Sequence, residues 1–166
     1  ADRGTPFKGI LYAGLMINNG KPSLVEYNVR FGDPECQVIM MRLGGQILDI
    51  ILSCLEGNLL RSKVNWANDH ALTVVLASKG YPYEYNKGSL LKNIKKIKED
   101  SNLKIFHAGT KKIKDSFYSN GGRVLNVTAR GSSLKKARKS AYDTVSKIKW
   151  EESVFRKDIG WRGIKN

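Results

Sequence analysis

Chemically capable side chains are densest in Val25-Glu26-Tyr27-Asn28-Val29-Arg30-Phe31-Gly32-Asp33-Pro34-Glu35. In an extended segment side chains alternate, so Val25, Tyr27, Val29 and Phe31 share one face, and Glu26, Asn28 and Arg30 share the other. A hard cation such as Mg²⁺ takes oxygen ligands and commonly uses only one or two carboxylates, with phosphates and water completing its shell. Glu26 and the side-chain carbonyl of Asn28 are two such donors on one side. Arg30, next along, suits phosphoryl oxygens on which negative charge develops. A salt-bridge ladder on a plain polar strand face is the other use of the same pattern. Asp33, Pro34 and Glu35 also have a purely structural reading. Asp33 suits an N-cap, Pro34 the first helical position, and Glu35 the positive end of a helix dipole.

No other cluster competes with this one. The chain has no GxSxG elbow, GxxxxGK[ST] loop, HExxH or GxGxxG. His70 and His107 have no motif around them and read as polar residues at strand ends. Cys36 and Cys54 lie in apolar stretches and form no CxxC pair, which points to buried free thiols in a reducing compartment and away from structural zinc.

The elements that must hold these residues follow from local pattern. Lys8 to Ile17 reads as a strand, Asn18-Asn19-Gly20-Lys21 as a hairpin turn, and Ser23 to Phe31 as the returning strand. A helical region then runs to about Glu56, with a break at Gly44-Gly45 and a stop at Gly57. It is apolar all round, so burial is expected. After the polar stretch 61–69 come a strand at His70 to Ser78, a turn at Lys79 to Pro82, and strands at Lys104 to Ala108 and Arg123 to Ala129. The last of these is entered through Asn120-Gly121-Gly122. Ser132 or Ser133 then caps a helix reaching about Lys149, with Leu134, Ala137, Ala141, Val145 and Ile148 at steps of three and four. Phe155 to Ile164 is mixed. Strands and helices interleave without a βαβ rhythm, which makes the fold class α+β. The expected domains are 1–60 and 61–166.

With 166 residues, 41% hydrophobic and 27% charged, the chain has the composition of a globular protein. Lys and Arg number 29 against 15 Asp and Glu, a net charge of +14. The lysine runs within 92–98, 111–114 and 135–139 carry no interleaved aromatics to stack bases, so they read as a solvated basic face, with a site for a phosphorylated small molecule as the alternative, and no nucleic-acid partner is expected. The first residues show no apolar core of a signal peptide, and the apolar run Ile47 to Leu55 is too short to span a bilayer. A cytoplasmic protein without a membrane partner is expected.

The segment Val25 to Glu35 closely resembles the signature of the phosphoribosylamine–glycine ligase family of de novo purine biosynthesis. The likeness extends, in the family's order, through Gly9 to Met16, His70 to Pro82, Phe106-His-Ala-Gly-Thr, Gly121 to Ala129 and Phe155 to Gly160. The resemblance implies the last part of an ATP-grasp catalytic domain over 1–60, followed over 61–166 by the family's small C-terminal domain. Family members are longer, with an N-terminal substrate domain and a lid that clamps ATP. The implied activity activates glycine with ATP as a glycyl phosphate. The amine of 5-phosphoribosylamine then attacks it to give glycinamide ribonucleotide, ADP and phosphate. The resemblance further implies Glu26 and Asn28 as Mg²⁺ or Mn²⁺ ligands and Arg30 as a catalytic phosphate contact. It implies Gly32, Asp33, Pro34 and Glu35 as the loop near glycine and the amine, and Arg123 as the contact of the ribose phosphate. The expected partners are glycine, 5-phosphoribosylamine, ATP and the N-terminal portion of the enzyme, without which the chain should be inactive. A non-catalytic basic module for RNA or an acidic partner is the competing reading. A carboxylate at the centre of the polar face argues against it.

Overall fold

The computed structural model describes residues 2–61 and 63–164 and divides into two compact units, 1–67 and 68–166. In the first unit, β1 (Tyr12–Asn18) and β2 (Lys21–Asn28) form an antiparallel two-stranded sheet. Asn19 and Gly20 both adopt positive φ, 49° and 75°, as a tight hairpin turn requires. The returning strand ends at Asn28, so Val29 and Arg30 lie in a bend beyond it.

Helix α1 (Glu35–Leu43) begins later than the capping pattern suggests. Its N-cap is Pro34, without a side-chain cap bond. The N-cap position thus falls on Pro34 and not on the expected Asp33, and the amide of Cys36 donates to the carbonyl of Gly32 at 3.0 Å. A 3-10 turn at Gly44–Gln46 separates α1 from α2 (Ile47–Glu56), where the glycine pair predicts a break. The expectation of burial fails. Only Met41 and Leu43 are buried in α1, and no residue is buried in α2. A two-stranded ribbon and two short helices offer too little surface to cover so many apolar side chains. Leu48, Ile51, Leu52 and Leu55 stay exposed, as do Leu15, Ile17, Val25 and Val29. Taken as one stretch, Glu35–Glu56 has 22 residues and is long and apolar enough by length and composition to cross a membrane. This exceeds the run Ile47 to Leu55 that the sequence singles out, because α1, the 3-10 turn and α2 follow one another with no loop between them. Cys36 and Cys54 are free and half-buried rather than buried.

The second unit is built on β3 (His70–Ser78), β4 (Leu90–Leu91), β5 (Leu103–His107), β6 (Thr110–Ile113), β7 (Ser116–Ser119), β8 (Arg123–Gly131) and β9 (Ser153–Val154). One antiparallel sheet has the order β5-β8-β3-β9, and a smaller one the order β4-β7-β6. Helix α3 (Leu134–Val145) is capped by Ser133, whose hydroxyl accepts from the Lys136 amide at 3.3 Å. It ends earlier than expected, and α4 (Trp161–Ile164) follows. Leu72, Val74, Leu76, Ile105, Leu125, Val127 and Ala129 lie on one face of the larger sheet and pack with Ala137, Ala141 and Val145 of α3. That core depends on period-two burial along β3 meeting the small-residue stripe of α3. Each unit mixes helices with antiparallel strands, and the fold is α+β.

Candidate functional site

Within the first unit, hairpin register decides what surrounds Glu26. Near the turn Asn18 pairs with Lys21 and Leu15 with Leu24. A bulge between Gly14 and Leu15 then shifts the ladder by one, with Val25 as the extra residue, so that Glu26 faces Gly14 and Asn28 faces Tyr12. Directly paired residues project to the same side of a ribbon. Glu26, Asn28 and Tyr12 therefore share one face, and Gly14 leaves that face open beside Glu26. A Cβ on Gly14 would stand 3.1 Å from the Glu26 Cγ.

Tyr12 ties this face to the following loop. Its hydroxyl donates to the Glu35 Oε1 at 3.4 Å. The negative charge of Glu35 is the main cause raising the Tyr12 pKa above its ordinary value; burial, the Glu35 hydrogen bond and Glu26 add to the rise, and Arg30 opposes it. Gly32 is held here by close approach, because a Cβ on it would collide with the Glu35 carboxylate and lie 3.0 Å from the Tyr12 ring. The unit thus sets Asn28 opposite Tyr12 on the ladder and Gly32 and Glu35 against the Tyr12 side chain, with the charges of Glu26 and Arg30 near enough to act on its phenol. Arg30 has no place on the strand face, since the strand has ended; its Nη1 donates to the adjacent Phe31 carbonyl at 2.8 Å. Asp33 and Pro34 lie on the loop between, joined by a cis peptide bond.

Tyr12 is the member that residue-type reasoning missed. A phenol is not an oxygen donor that a hard cation prefers, and Tyr12 meets Asn28 only through the shifted register. Glu26 and Asn28 are oxygen donors of the type a hard cation takes. Among the described residues, no group of three or more His, Cys, Asp and Glu is arranged as a metal cage.

Arg123, in the second unit, is aimed by a bulge of its own. Leu76 pairs with Leu125, but Ala77 pairs with Arg123, which leaves Val124 as the extra residue. Strict alternation would put Arg123 on the side of Leu125, under α3. The bulge puts it opposite Ala77, on the other face with Val75 and Thr73.

Comparison with known proteins places both units. Residues 1–36 match the family described as phosphoribosylglycinamide synthetase, ATP-grasp (A) domain, and residues 71–162 match phosphoribosylglycinamide synthetase, C domain. A phosphoribosylamine–glycine ligase of Agrobacterium fabrum is 48% identical over 164 residues, covering 99% of this chain and 38% of the relative. The chloroplastic phosphoribosylamine–glycine ligase of Arabidopsis thaliana is 46% identical over 169 residues, 99% of this chain and 32% of its own length. A crystal structure of the phosphoribosylamine–glycine ligase of Thermotoga maritima superposes with a TM-score of 0.81 at 34% identity, over 95% of this chain and 38% of that one. The chain therefore spans about 38% of the length of most of the curated relatives it matches.

Proposed function

Because the chain belongs to the phosphoribosylglycinamide synthetase family, we propose that it works as the C-terminal portion of a phosphoribosylamine–glycine ligase. The whole enzyme would use ATP to activate the glycine carboxylate as glycyl phosphate, which the amine of 5-phosphoribosylamine attacks to release phosphate and form glycinamide ribonucleotide. Residues 1–60 are the end of the ATP-grasp catalytic domain and 61–166 the small C-terminal domain. The observation that carries this reading is the single face holding Glu26, Asn28 and Tyr12, with Glu35 bonded to Tyr12.

Glu26 and Asn28 hold Mg²⁺ or Mn²⁺, which when bound would neutralise charge on the ATP phosphates. Arg30 offers its guanidinium to the phosphoryl oxygens, where a cation stabilises developing charge. Gly32, Asp33, Pro34 and Glu35 border the glycine and amine subsite, with Tyr12 orienting Glu35. Arg123 grips the 5-phosphate of the ribose.

The partner of the first unit is the remaining part of the ligase. Its packing covers the apolar side chains that α1, α2 and the hairpin leave exposed, so the stretch Glu35–Glu56 meets protein and not lipid. A cytoplasmic enzyme of purine synthesis is the corresponding setting. The test is Glu26→Gln in the full-length ligase. Glycine-dependent phosphate release should fall by at least about 100-fold, as expected when a charge-neutralising metal ligand is lost, while folding is retained. Unchanged turnover at saturating Mg²⁺ removes Glu26 from the site.

A further inference from the structure

Three segments distant in sequence lock together where β3 ends and β8 begins. Ser78, only 1% exposed, makes two bonds to the turn before β8. Its hydroxyl donates to the Gly121 carbonyl at 2.8 Å and its amide to the Gly122 carbonyl at 2.7 Å. From the third segment, the Gly109 amide donates to the Arg123 carbonyl at 3.0 Å, and the Gly109 carbonyl accepts from Asn120 at 2.7 Å. The contact is backbone on backbone: a Cβ on Gly109 would lie 2.7 Å from both the Arg123 carbonyl oxygen and the Gly121 Cα. A Cβ on Gly122 would enter the Tyr81 ring.

A trans peptide unit is planar, with its C=O and N–H pointing in opposite directions. The Ser78 hydroxyl, by holding the Gly121 carbonyl, therefore turns the Gly122 N–H the opposite way. The Ser78 amide does the same for the next unit, which carries the N–H of Arg123. Without these bonds a Gly-Gly pair has the widest backbone freedom of any dipeptide. Among the described residues, no acceptor meets the amide of Gly121 or Gly122. A Gly122 amide held this way beside Arg123 makes a donor pair suited to a phosphate.

We infer that Ser78 is a positioning residue for phosphate binding: its hydroxyl fixes the Gly121-Gly122 turn so that the Gly122 amide and Arg123 meet one phosphate group. This rests on the reading of Arg123 as the contact of the substrate's 5-phosphate. Ser78 touches no substrate and acts only through the turn.

The test is a titration of the 166-residue chain with ribose 5-phosphate, followed by amide NMR. In the unaltered chain the amide signals of Gly121, Gly122 and Arg123 should move. Ser78→Ala should weaken binding about fivefold, the equivalent of one neutral hydrogen bond, while core amides such as those of Val74 and Val127 keep their positions. If Ser78→Ala does not fold, Ser78→Cys, with a weaker donor of similar size, is read in the same way. Equal binding by the variant and the unaltered chain overturns the role of Ser78 and leaves that of Arg123 standing. No movement of the Gly121 to Arg123 amides in the unaltered chain overturns both.

Discussion

Arg123 stands at the entry of β8, and its replacement separates the two substrates of the proposed reaction. A charge-assisted contact to phosphate contributes about 1.5–3 kcal/mol. In the full-length ligase, Arg123→Ala should therefore raise the KM for phosphoribosylamine by roughly 10- to 150-fold, with a much smaller change for glycine. Equal changes for both substrates would make Arg123 a structural residue. His107 matters in a different way. Its Nδ1 lies 3.0 Å from the Thr110 hydroxyl, and its ring packs on Phe117 with centroids 4.4 Å apart. Burial is the main cause depressing its pKa, opposed by Glu99. The unfolded imidazole, with an ordinary pKa of about 6.5, therefore holds more protons than the folded one as pH falls below 7. Stability is full above that range and declines as pH drops through it. The urea midpoint should fall between about pH 7.5 and 5.5, the window in which histidine titrates, and His107→Gln should flatten the decline. Asp115 and Asp158, whose pKa values are lowered by Lys95 and Arg156, titrate well below this window. An unchanged slope in the variant would assign the pH dependence elsewhere.

Among the elements, β8 carries a visible local conflict. Asn126 lies at its centre, paired with Val75 and Phe106, and is fully buried with neither side-chain amide atom hydrogen-bonded. A buried polar group without partners costs about 1–3 kcal/mol, so an apolar residue of strand-forming type relieves it. Asn126→Val should raise the stability of the chain by about 1 kcal/mol, read as a higher urea midpoint with the same slope. A lower midpoint would show that the carboxamide has a partner under solution conditions. Lysines 111 and 112 sit on β6, the edge strand of the smaller sheet, where charged side chains deter pairing with another chain. Part of the basic character thus has a structural use that needs no anionic partner.

At the scale of the whole molecule, charge concentrates in the second unit and exposed apolar side chains are most numerous in the first. Residues 68–166 hold 22 Lys and Arg against 9 Asp and Glu, a net charge of +13, which leaves only +1 for residues 1–67. The first unit instead exposes apolar side chains on its helices and its hairpin, among them Met16, Val25, Val29, Leu48 and Leu55. Phosphoryl transfer depends on positioning and electrostatic stabilisation, and contacts open to water are weak. We therefore expect purified residues 1–166 to release no phosphate in response to glycine and ATP. Adding the preceding part of the ligase as a separate fragment should restore the activity. Glycine-dependent release by the 166-residue chain alone would show that Glu26, Asn28 and Arg30 suffice.

Resemblance of Val25 to Glu35 and the further segments to a known family gave the family, and local pattern gave most elements of this protein. Asn19-Gly20 needs positive φ, His70 to Ser78 needs a pleated, half-buried surface, and Ser133 supplies a cap, all within a few residues of chain. The same pattern misjudged α1 and α2, because burial depends on what lies against a helix and not on its own composition. It also could not reveal the two bulges. Period-two alternation assumes an unbroken ladder, whereas one extra residue, Val25 on β2 or Val124 on β8, exchanges the faces beyond it. Only pairing with a second strand decides whether that residue is accommodated. For this reason the identity of Glu26, Asn28 and Arg123 as candidates was legible in the sequence, while the tertiary structure alone set Tyr12 beside the first two and turned Arg123 away from the core.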